Sequence, residues 1–451
     1  MEDRAPRLKR VAVIGAGWAG CAAAVTLARL GYGVTVVEAA SVPGGRARRV
    51  VRDGLALDNG QHLMLGAYLQ TRNVLAAVHG GNGEGLLSRS ALALCGFAGC
   101  ETPFALHARR LPGSFGLLAG VLLAQGLTVG ERIALVAWFR RLARRGFRCA
   151  PDQTVAGLLA DGPRVAAERL WNPLCLAALN TPPERASAQV FANVLRASFA
   201  GGSDASDFLL ASTDLSSLFP EAALRFVEAH GGHAQLNARA CLVLRDDAVA
   251  VRTRDAEQSF DAAIVAVGPH QLDNVVGGAG PFAAALSAVA SLDYEPIATV
   301  WLGYGSRMPM PSTIVRLDDA PGQWVIDRSE IVSQAAHDAA RPALAQLVAV
   351  VVSARGAHEA IAAHELAHVC DAQLRRIEPR WPPLAWSQAI VEKRATYACV
   401  PGRAVVPDAL PHPRVALAGD YVDAEFPATL EAAVRTGAAA AFAIDASLGR
   451  S

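Results

Sequence analysis

Three glycines near the start of the chain have the spacing that a phosphate-binding turn requires. Gly15, Gly17 and Gly20 follow one apolar run, and Glu38 ends a second, alternating run. In a strand–turn–helix unit, the first glycine makes the turn, the second admits a pyrophosphate, and the third lets the helix pack closely. A carboxylate after the second strand accepts hydrogen bonds from ribose hydroxyls. The dinucleotide contacts predicted here are Gly15, Ala16, Gly17, Ala19, Gly20, Glu38 and Ala39.

The same stretch has two other interpretations. Residues 11–28 carry no charge and follow three basic residues, as in a secretory signal or a membrane-spanning helix. Neither class of segment needs the glycine spacing, and neither is followed by an alternating run that ends in a carboxylate. We therefore interpret residues 10–14 as a buried strand, with a helix after it that runs to about Leu30.

Two further segments indicate a dinucleotide longer than NAD. Soon after Glu38, the turn PGGR offers a second backbone segment and a cation to a pyrophosphate. Near the other end of the chain, a strand over 415–418 precedes Asp420, which can bind a ribityl hydroxyl, and a helix that opens near Pro427. The start of that helix can stabilise negative charge on a flavin ring. A short turn at 57–68, dense in polar groups between apolar runs, lies between these two segments. The sequence thus predicts FAD, with further contacts at Gly44, Gly45, Arg46, Asn59, Gly60, Gln61, Gly419, Asp420, Ala428, Thr429 and Leu430.

These motifs together resemble the flavin amine oxidase and phytoene desaturase superfamily. More narrowly, stretches at 57–68, 170–196, 391–402 and 419–437 resemble the hydroxysqualene dehydroxylases of bacterial hopanoid synthesis. The resemblance implies an FAD-dependent enzyme in which hydride passes from reduced flavin N5 to the allylic carbon of hydroxysqualene as water leaves. It also implies a backbone contact to adenine near Ala240.

The chain departs from the pattern of that family at three places. Cys21 replaces a usual leucine, Val400 replaces a common threonine, and residues 424–426 replace a smaller run that contains glycine. The first two changes should leave cofactor binding intact. The third lies beside the expected flavin, so it should change the shape of the active site there.

Cofactor motifs at both ends of the chain predict a discontinuous α/β fold. We expect a Rossmann-like FAD-binding domain from residues 1–68, 209–270 and 410–451, and an interleaved α+β substrate domain from 69–208 and 271–409. The expected strands lie at 240–244, 248–253, 262–268, 297–303, 323–327 and 344–353, and the expected helices at 222–230 and 358–377.

A proton donor would help an allylic hydroxyl to leave, because hydroxide is a poor leaving group. His62, Asp423 and Glu425 are the candidates near the expected flavin. Each has a structural alternative: His62 can simply bond to the backbone, and Asp423 can cap the C-terminal helix. Tyr68 and Phe426 are aromatic candidates for the wall beside the flavin.

An uncharged segment over residues 111–130 precedes a helix-forming stretch with arginines at 140, 141, 144, 145 and 148. Such a basic amphipathic helix can rest on an anionic membrane and admit a lipid substrate. Alternatively, the segment packs inward and covers the substrate domain. We expect a cytoplasmic protein that is either free or bound peripherally to the inner face of the membrane.

Other features exclude several classes of function. The 451 residues include 42 basic and 41 acidic side chains, a balance that does not suggest a nucleic-acid partner. The stretch from His364 to His368 matches the HExxH zinc motif, but both histidines should project to solvent without a third ligand, so no metal site is expected. The eight cysteines include no CxxC pair, which favours reduced thiols.

Two alternatives to dehydroxylation remain open. An oxidative relative, either a carotenoid-type desaturase or an amine oxidase, would share every cofactor motif. A lipid chaperone related to Rab escort proteins would share the fold, although such proteins tend to lose parts of the cofactor signature. The physiological electron donor is not identified, because the sequence has no separate nicotinamide motif.

Overall fold

A parallel sheet of five strands brings the two ends of the chain together. The computed structural model describes residues 8–97, 104–109, 111, 115–202, 204–334, 343–407 and 409–449. The sheet has the strand order His233–Gln235, Gly33–Val37, Arg10–Ile14, Ala262–Val265 and Val415–Leu417. Every strand of this sheet lies in one of the segments 1–68, 209–270 and 410–451. We therefore propose that these three segments form the cofactor domain.

Side-chain alternation along the first strand explains how both faces of this sheet are covered. Val11 and Val13 pack in one apolar cluster with the covering helices, whereas Ala12 and Ile14 pack in another. Successive side chains of a strand point to opposite faces, so a short apolar run serves both layers. The covering helices are Trp18–Arg29, Pro220–Ala229 and Leu430–Gly449. A three-stranded antiparallel sheet of Cys241–Leu244, Val249–Arg252 and Glu257–Phe260 supplies side chains to the second cluster.

The first and last of these helices approach each other unusually closely. A Cβ atom built on Gly437 would lie 2.1 Å from the carbonyl oxygen of Ala19. Only a residue without a side chain permits this contact. The C-terminal helix is therefore fixed against the first helix, directly beside the glycine-rich turn.

A second sheet, also of five strands, is antiparallel. Its order is Ile314–Arg316, Trp324–Asp327, Gln346–Ser353, Tyr294–Tyr304 and Leu384–Tyr397. The strand Leu384–Tyr397 was not expected from the sequence. Its side chains are mostly half-buried and include three consecutive charged residues at 392–394, so it lacks the apolar alternation that identifies a strand.

The helix Ala363–Ile377 covers one face of this second sheet. Leu366, Cys370 and Leu374 pack there in a buried cluster with Val300 and Val350. The HExxH residues His364, Glu365 and His368 are exposed on the other side of the helix. At 100° per residue, the sequence also predicts Val369 on this apolar face, but Val369 is exposed, because the buried stripe of the helix is narrower than that projection.

The remaining elements surround the two sheets. The short strands are Arg49–Arg52, Leu55–Asp58, Met64–Leu65, Leu87–Ser90, Ala93–Cys95, Ala105–His107 and Phe208–Ala211. The further helices are Leu69–Val78, Phe115–Leu122, Val129–Arg144, Val155–Leu159, Arg164–Ala166, Asn172–Leu179, Ala188–Phe199, Leu215–Leu218, Leu272–Val276, Ala283–Ala290 and Ser329–Gln334. Residues 112–114 of the uncharged segment lie outside the described residues. Across the described ranges, we find no helix that combines the length and the apolar character needed to cross a bilayer.

Candidate active site

One cavity of about 1330 Å³ is lined by residues of both large sheets. Ile14 and Val37 line it from the parallel sheet, and Ile297 and Val351 line it from the antiparallel sheet. A pocket for a single small ligand usually has a volume of roughly 300–1,000 Å³. The cavity therefore has room for a large cofactor and a second ligand beside it.

The glycine-rich turn forms one end of this cavity. Gly15 has a φ of +106°, which favours glycine, and its N–H donates to the carbonyl of Val37 at 2.8 Å. A Cβ on Gly20 would lie 1.9 Å from the carbonyl oxygen of Gly15, so the third glycine allows the helix to approach the turn. A Cβ on Gly17 would meet only the Cα of Gly45, at 4.0 Å. Gly17 therefore faces open space, as a site for a pyrophosphate requires.

The second glycine turn lies directly against the first. The N–H of Gly44 donates to the carbonyl of Ala16 at 2.8 Å, and Gly17 and Gly44 form an isolated bridge. Gly44 and Gly45 both have positive φ angles and line the cavity. Two backbone segments thus border the same space, which is the arrangement expected around a pyrophosphate.

Glu38 reaches back to the glycine-rich turn. Its carboxylate accepts hydrogen bonds from the N–H groups of Ala16 at 2.6 Å and Ala40 at 2.8 Å. Glu38, Ala39 and Ala240 all line the cavity. These two N–H groups hold the carboxylate beside the glycine-rich turn. Its oxygens can still accept further hydrogen bonds from ribose hydroxyls.

Arg46 and Asp420 form an ion pair that joins the two ends of the chain. Nη2 of Arg46 lies 2.6 Å from Oδ1 of the buried Asp420, and Nη1 donates to the carbonyl of Ala395 at 2.8 Å. The sequence assigned these side chains to different parts of the cofactor. The structure instead places them together at the cavity wall, so each also orients the other.

The polar turn at residues 59–62 offers an unused acceptor. The backbone N–H of Gln61 donates to Oγ1 of Thr299 at 3.1 Å, and its side-chain amide donates to the carbonyl of His62. Oε1 of Gln61 is buried and accepts no hydrogen bond from any described residue. Because a buried polar atom without a partner is costly, this acceptor fits a bound group with a donor. Asn59 and Gly60 line the cavity beside it.

His62 faces the cavity with one ring nitrogen already committed. Its Nδ1 lies 2.7 Å from the carbonyl oxygen of Gly60, so Nδ1 carries the proton. Burial lowers the pKa of His62 below its ordinary value, an effect that nearby Arg46 reinforces. The ring is therefore neutral at pH 7, with Nε2 as its free acceptor.

The start of the C-terminal helix borders the cavity. This helix begins at Leu430, three residues later than expected, and Oγ1 of Thr429 accepts from the N–H of Ala432 at 3.1 Å. Ala428, Thr429 and Leu430 line the cavity. The positive end of the helix dipole therefore lies where it would stabilise negative charge on a flavin. With the open space at Gly17 and the free acceptor of Gln61, these residues fit a flavin dinucleotide.

The two acidic candidates for proton donation are already committed to structural contacts. Asp423 does not line the cavity, and its Oδ1 accepts from the N–H groups of Glu425 at 2.8 Å and Phe426 at 2.9 Å. Glu425 does line the cavity, but its carboxylate pairs with Arg196 and, at 3.0 Å, with Arg435. Asp423 thus shapes the turn, and Glu425 ties it to the helix Ala188–Phe199.

Two predicted cofactor residues do not line the cavity. Ala16 contributes through its backbone bonds to Glu38 and Gly44, and Gly20 acts by close packing beneath Gly15. Tyr68 and Phe426, the expected aromatic neighbours of the flavin, both line the cavity.

Away from the glycine turns, the cavity becomes an apolar chamber. Its walls come from helices, from the small sheets and from one face of the antiparallel sheet. The chamber residues are Leu63, Leu65, Leu92, Leu94, Leu174, Ala177, Phe191, Val194, Leu195, Phe199, Phe208, Ile314, Trp324, Ile326 and Val351. Such a chamber favours a large, uncharged ligand over a polar one.

Sequence reasoning missed several cavity residues. The unexpected strand Leu384–Tyr397 contributes four of them, at positions 392 and 394–396. Glu431 is another: its buried carboxylate accepts from the N–H groups of Gln70 and Thr71, each at 2.9 Å. The stretch at 391–402 carried a family resemblance but no assigned role, and this was the available signal for the strand.

Comparisons with known proteins agree with this geometry. The family model for flavin containing amine oxidoreductases matches residues 18–445. The hydroxysqualene dehydroxylase of Rhodopseudomonas palustris is 29% identical over 441 residues, which cover 96% of this chain and 97% of that protein. That of Sinorhizobium fredii is 27% identical over 466 residues, with coverages of 96% and 97%. Among solved structures, cyclohexylamine oxidase from Brevibacterium oxydans aligns with a TM-score of 0.69 at 18% identity, over 98% of this chain and 100% of that one.

Proposed function

Because this chain belongs to the family of flavin-containing amine oxidoreductases, we propose that it binds FAD and reduces hydroxysqualene to squalene. Membership in the family confirms the expected α/β flavin fold and makes the protein a flavin-dependent oxidoreductase. The observation that carries the proposal of FAD and hydroxysqualene is that the glycine turns and a large apolar chamber line one and the same cavity. The two hydroxysqualene dehydroxylases similar to almost the whole chain support the same substrate.

We assign the adenosine and pyrophosphate half of FAD to the two glycine turns. Gly15, Gly17, Gly44 and Gly45 provide the close backbone approach, and the carboxylate of Glu38 accepts from the ribose. The side chain of Gln61 would act as an acceptor here, because its free Oε1 can accept a hydrogen bond from the cofactor. Asp420, the helix start at Leu430 and their neighbours then border the flavin half.

The chamber orients the substrate and excludes water. Phe191, Leu195 and Trp324 are among the apolar side chains that line it. Burial of an isoprenoid chain contributes about 25 cal/mol for each Å² of apolar surface removed from water. A long hydrocarbon therefore supplies enough binding energy to hold the allylic carbon against the cofactor site.

When bound and reduced, a flavin in this site would supply the hydride for the allylic carbon. The carbon–oxygen bond breaks, and the departing hydroxyl takes a proton to leave as water, so one hydride and one proton are consumed per alcohol. We propose His62 as the donor of that proton. In its protonated form Nδ1 remains bonded to Gly60, and Nε2 delivers the proton. Its lowered pKa makes the imidazolium a stronger acid than an exposed histidine.

An anaerobic single-turnover experiment tests this proposal. The purified flavoprotein is reduced chemically, mixed with hydroxysqualene, and followed by flavin absorbance and product extraction. We expect reoxidation of the flavin with one squalene formed per flavin. The same reduced protein mixed with squalene is the control and should stay reduced.

The opposite electron flow is the outcome that would overturn this assignment. If hydroxysqualene fails to reoxidise the flavin, while a carotenoid precursor or an amine reduces the oxidised protein, the enzyme is an oxidative member of the family. A protein that retains no flavin, even after incubation with FAD, would contradict the cofactor assignment itself.

A further inference from the structure

An exposed apolar group lies next to a strongly basic segment on the outside of the molecule. Leu122, Leu123, Val129 and Ile133 are between 46% and 68% exposed. They are four of the twelve large hydrophobic side chains that are exposed among the described residues, yet they lie within a short stretch of chain. We call them, with the arginines at 140, 141, 144, 145 and 148, the apolar–basic surface.

The fold of the helix Val129–Arg144 does not require its exposed apolar residues. Leu135, Trp138 and Leu142 already form its buried face. At 100° per residue, Val129, Ile133, Arg140 and Arg144 instead lie within a sector of ~60° on the outer face. The same outer stripe therefore begins apolar and ends basic.

The preceding turn holds this surface in a defined position. Thr128 and Glu131 form a capping box at the start of the helix. Arg132 donates to the carbonyls of Leu122 at 2.8 Å and Leu127 at 3.1 Å, and so joins the helix Phe115–Leu122 to its successor. The exposure of the four apolar side chains is thus a property of an ordered turn.

The basic half is concentrated and uncompensated. Residues 140–148 contain five arginines and no acidic residue, although the whole chain has a formal net charge of only +1. All five are exposed, and none forms an ion pair with a carboxylate in the described part of the chain. Arginines that merely solubilise a surface are usually interspersed with acidic residues.

The apolar–basic surface adjoins the wall of the chamber. Leu92 and Leu94 line the cavity at the strand Ala93–Cys95, which pairs with Ala105–His107. The helix Phe115–Leu122 packs on that second strand, where a Cβ on Gly120 would lie 2.7 Å from the carbonyl oxygen of His107. One small hairpin therefore separates the exposed leucines from the substrate chamber.

We propose that the apolar–basic surface rests on an anionic phospholipid bilayer, with its apolar side chains in the lipid interface and its arginines at the headgroups. Lys and Arg near such a surface each contribute ~1 kcal/mol, and buried apolar area adds to it. A second copy of this chain is a poorer partner, because a twofold interface would bring the two basic segments together. Delivery of an isoprenoid substrate from that bilayer follows if the proposed function is correct; the binding itself does not depend on it.

Vesicle co-sedimentation of the purified flavoprotein tests the proposal. We expect binding to vesicles that contain phosphatidylglycerol, little binding to pure phosphatidylcholine, and release at high salt. The triple variant Arg140→Gln, Arg144→Gln, Arg145→Gln should bind about 100-fold more weakly, since each charge is worth ~1 kcal/mol. Val129→Ser with Ile133→Ser should also weaken binding.

Matched controls exist elsewhere on the surface. Arg29→Gln with Arg225→Gln removes exposed charge, and Val51→Ser with Phe442→Ser removes exposed apolar groups; neither pair should change vesicle binding. Equal binding by the test and control variants would overturn the proposal, as would failure of the wild-type protein to bind anionic vesicles. Self-association that is lost in the Val129 and Ile133 variant would also overturn it, in favour of a dimer.

Activity measurements separate this inference from the proposed function. With hydroxysqualene dispersed in detergent, the arginine variant should turn over as fast as the wild-type protein. With substrate embedded in anionic vesicles, it should be slower. No turnover in detergent by the wild-type protein would count against the proposed function while leaving vesicle binding unaffected.

Discussion

The two ends of the cavity are built in different ways. The cofactor end is made mostly of backbone from short, contiguous turns, in which Gly15, Gly17 and Gly20 each have a distinct geometric task. The chamber end is made of apolar side chains that arrive from separate helices and strands, such as Phe191 and Trp324.

This difference determines how each end tolerates change. A binding site made of backbone is lost when a single Cβ atom fills it, because the backbone of a tight turn cannot move away from the added atom. A chamber of side chains changes volume gradually, and its neighbours can adjust. Substitutions at the cofactor end should therefore abolish flavin binding or folding, whereas those in the chamber should change substrate affinity by degrees.

The largest effects are expected at the glycine turn. Gly20→Val places a side chain against the carbonyl of Gly15, so we expect a loss of more than ~4 kcal/mol in the free energy of unfolding, measured by urea denaturation. Gly17→Val has room within the protein and an extended backbone, so stability should change by less than ~1 kcal/mol while bound flavin absorbance disappears. If both variants unfolded alike, Gly17 would be structural and the cradle assignment would be wrong.

The second largest effect is expected at His62, the proposed donor of the proton to the leaving hydroxyl. His62→Gln should lower kcat by ~100- to 10,000-fold with flavin still bound, because it removes the proposed acid. In the wild-type protein burial lowers the pKa of His62, so its protonated form is populated only below the ordinary pH range of histidine. The rate should therefore rise as pH falls through that lowered pKa, and the variant should lose this dependence. A pH profile that survives the substitution would point to another donor.

A smaller effect is expected in the chamber. Val194→Trp reduces the space for substrate, and we expect KM for hydroxysqualene to rise by ~10- to 100-fold, with normal flavin content. Val194→Ala is the matched control and should change KM much less. Loss of flavin in the tryptophan variant would show that the chamber and the cradle are not separable.

The smallest effect is expected at Glu425. All three partners of the Arg196–Glu425–Arg435 contact are about a third exposed or more, so Glu425→Gln should cost less than ~1 kcal/mol in unfolding free energy. We expect kcat to fall only a few-fold, as for a positioning residue that holds the turn beside Phe426. A fall of 100-fold or more, with the pH dependence abolished, would instead make Glu425 the proton donor.

Local signals determined much of the cofactor end. The spacing of Gly15, Gly17 and Gly20, with Glu38 after the second strand, predicted the strand, turn and helix because each step is a short-range steric requirement. The strands at 262–265 and 415–417 were also visible, since buried parallel strands are continuous apolar runs. The family resemblance then indicated the flavin and the class of reaction.

Only the tertiary structure decided the partners of the charged residues and the walls of the chamber. The pairing of Arg46 with Asp420 joins residues at opposite ends of the chain, and no local pattern encodes it. The strand Leu384–Tyr397 looked polar because it is half-buried, and its place was set by pairing with Tyr294–Tyr304. Sequence spacing therefore specified the glycine turns that we propose for the cofactor, whereas long-range packing specified which side chains line the apolar chamber.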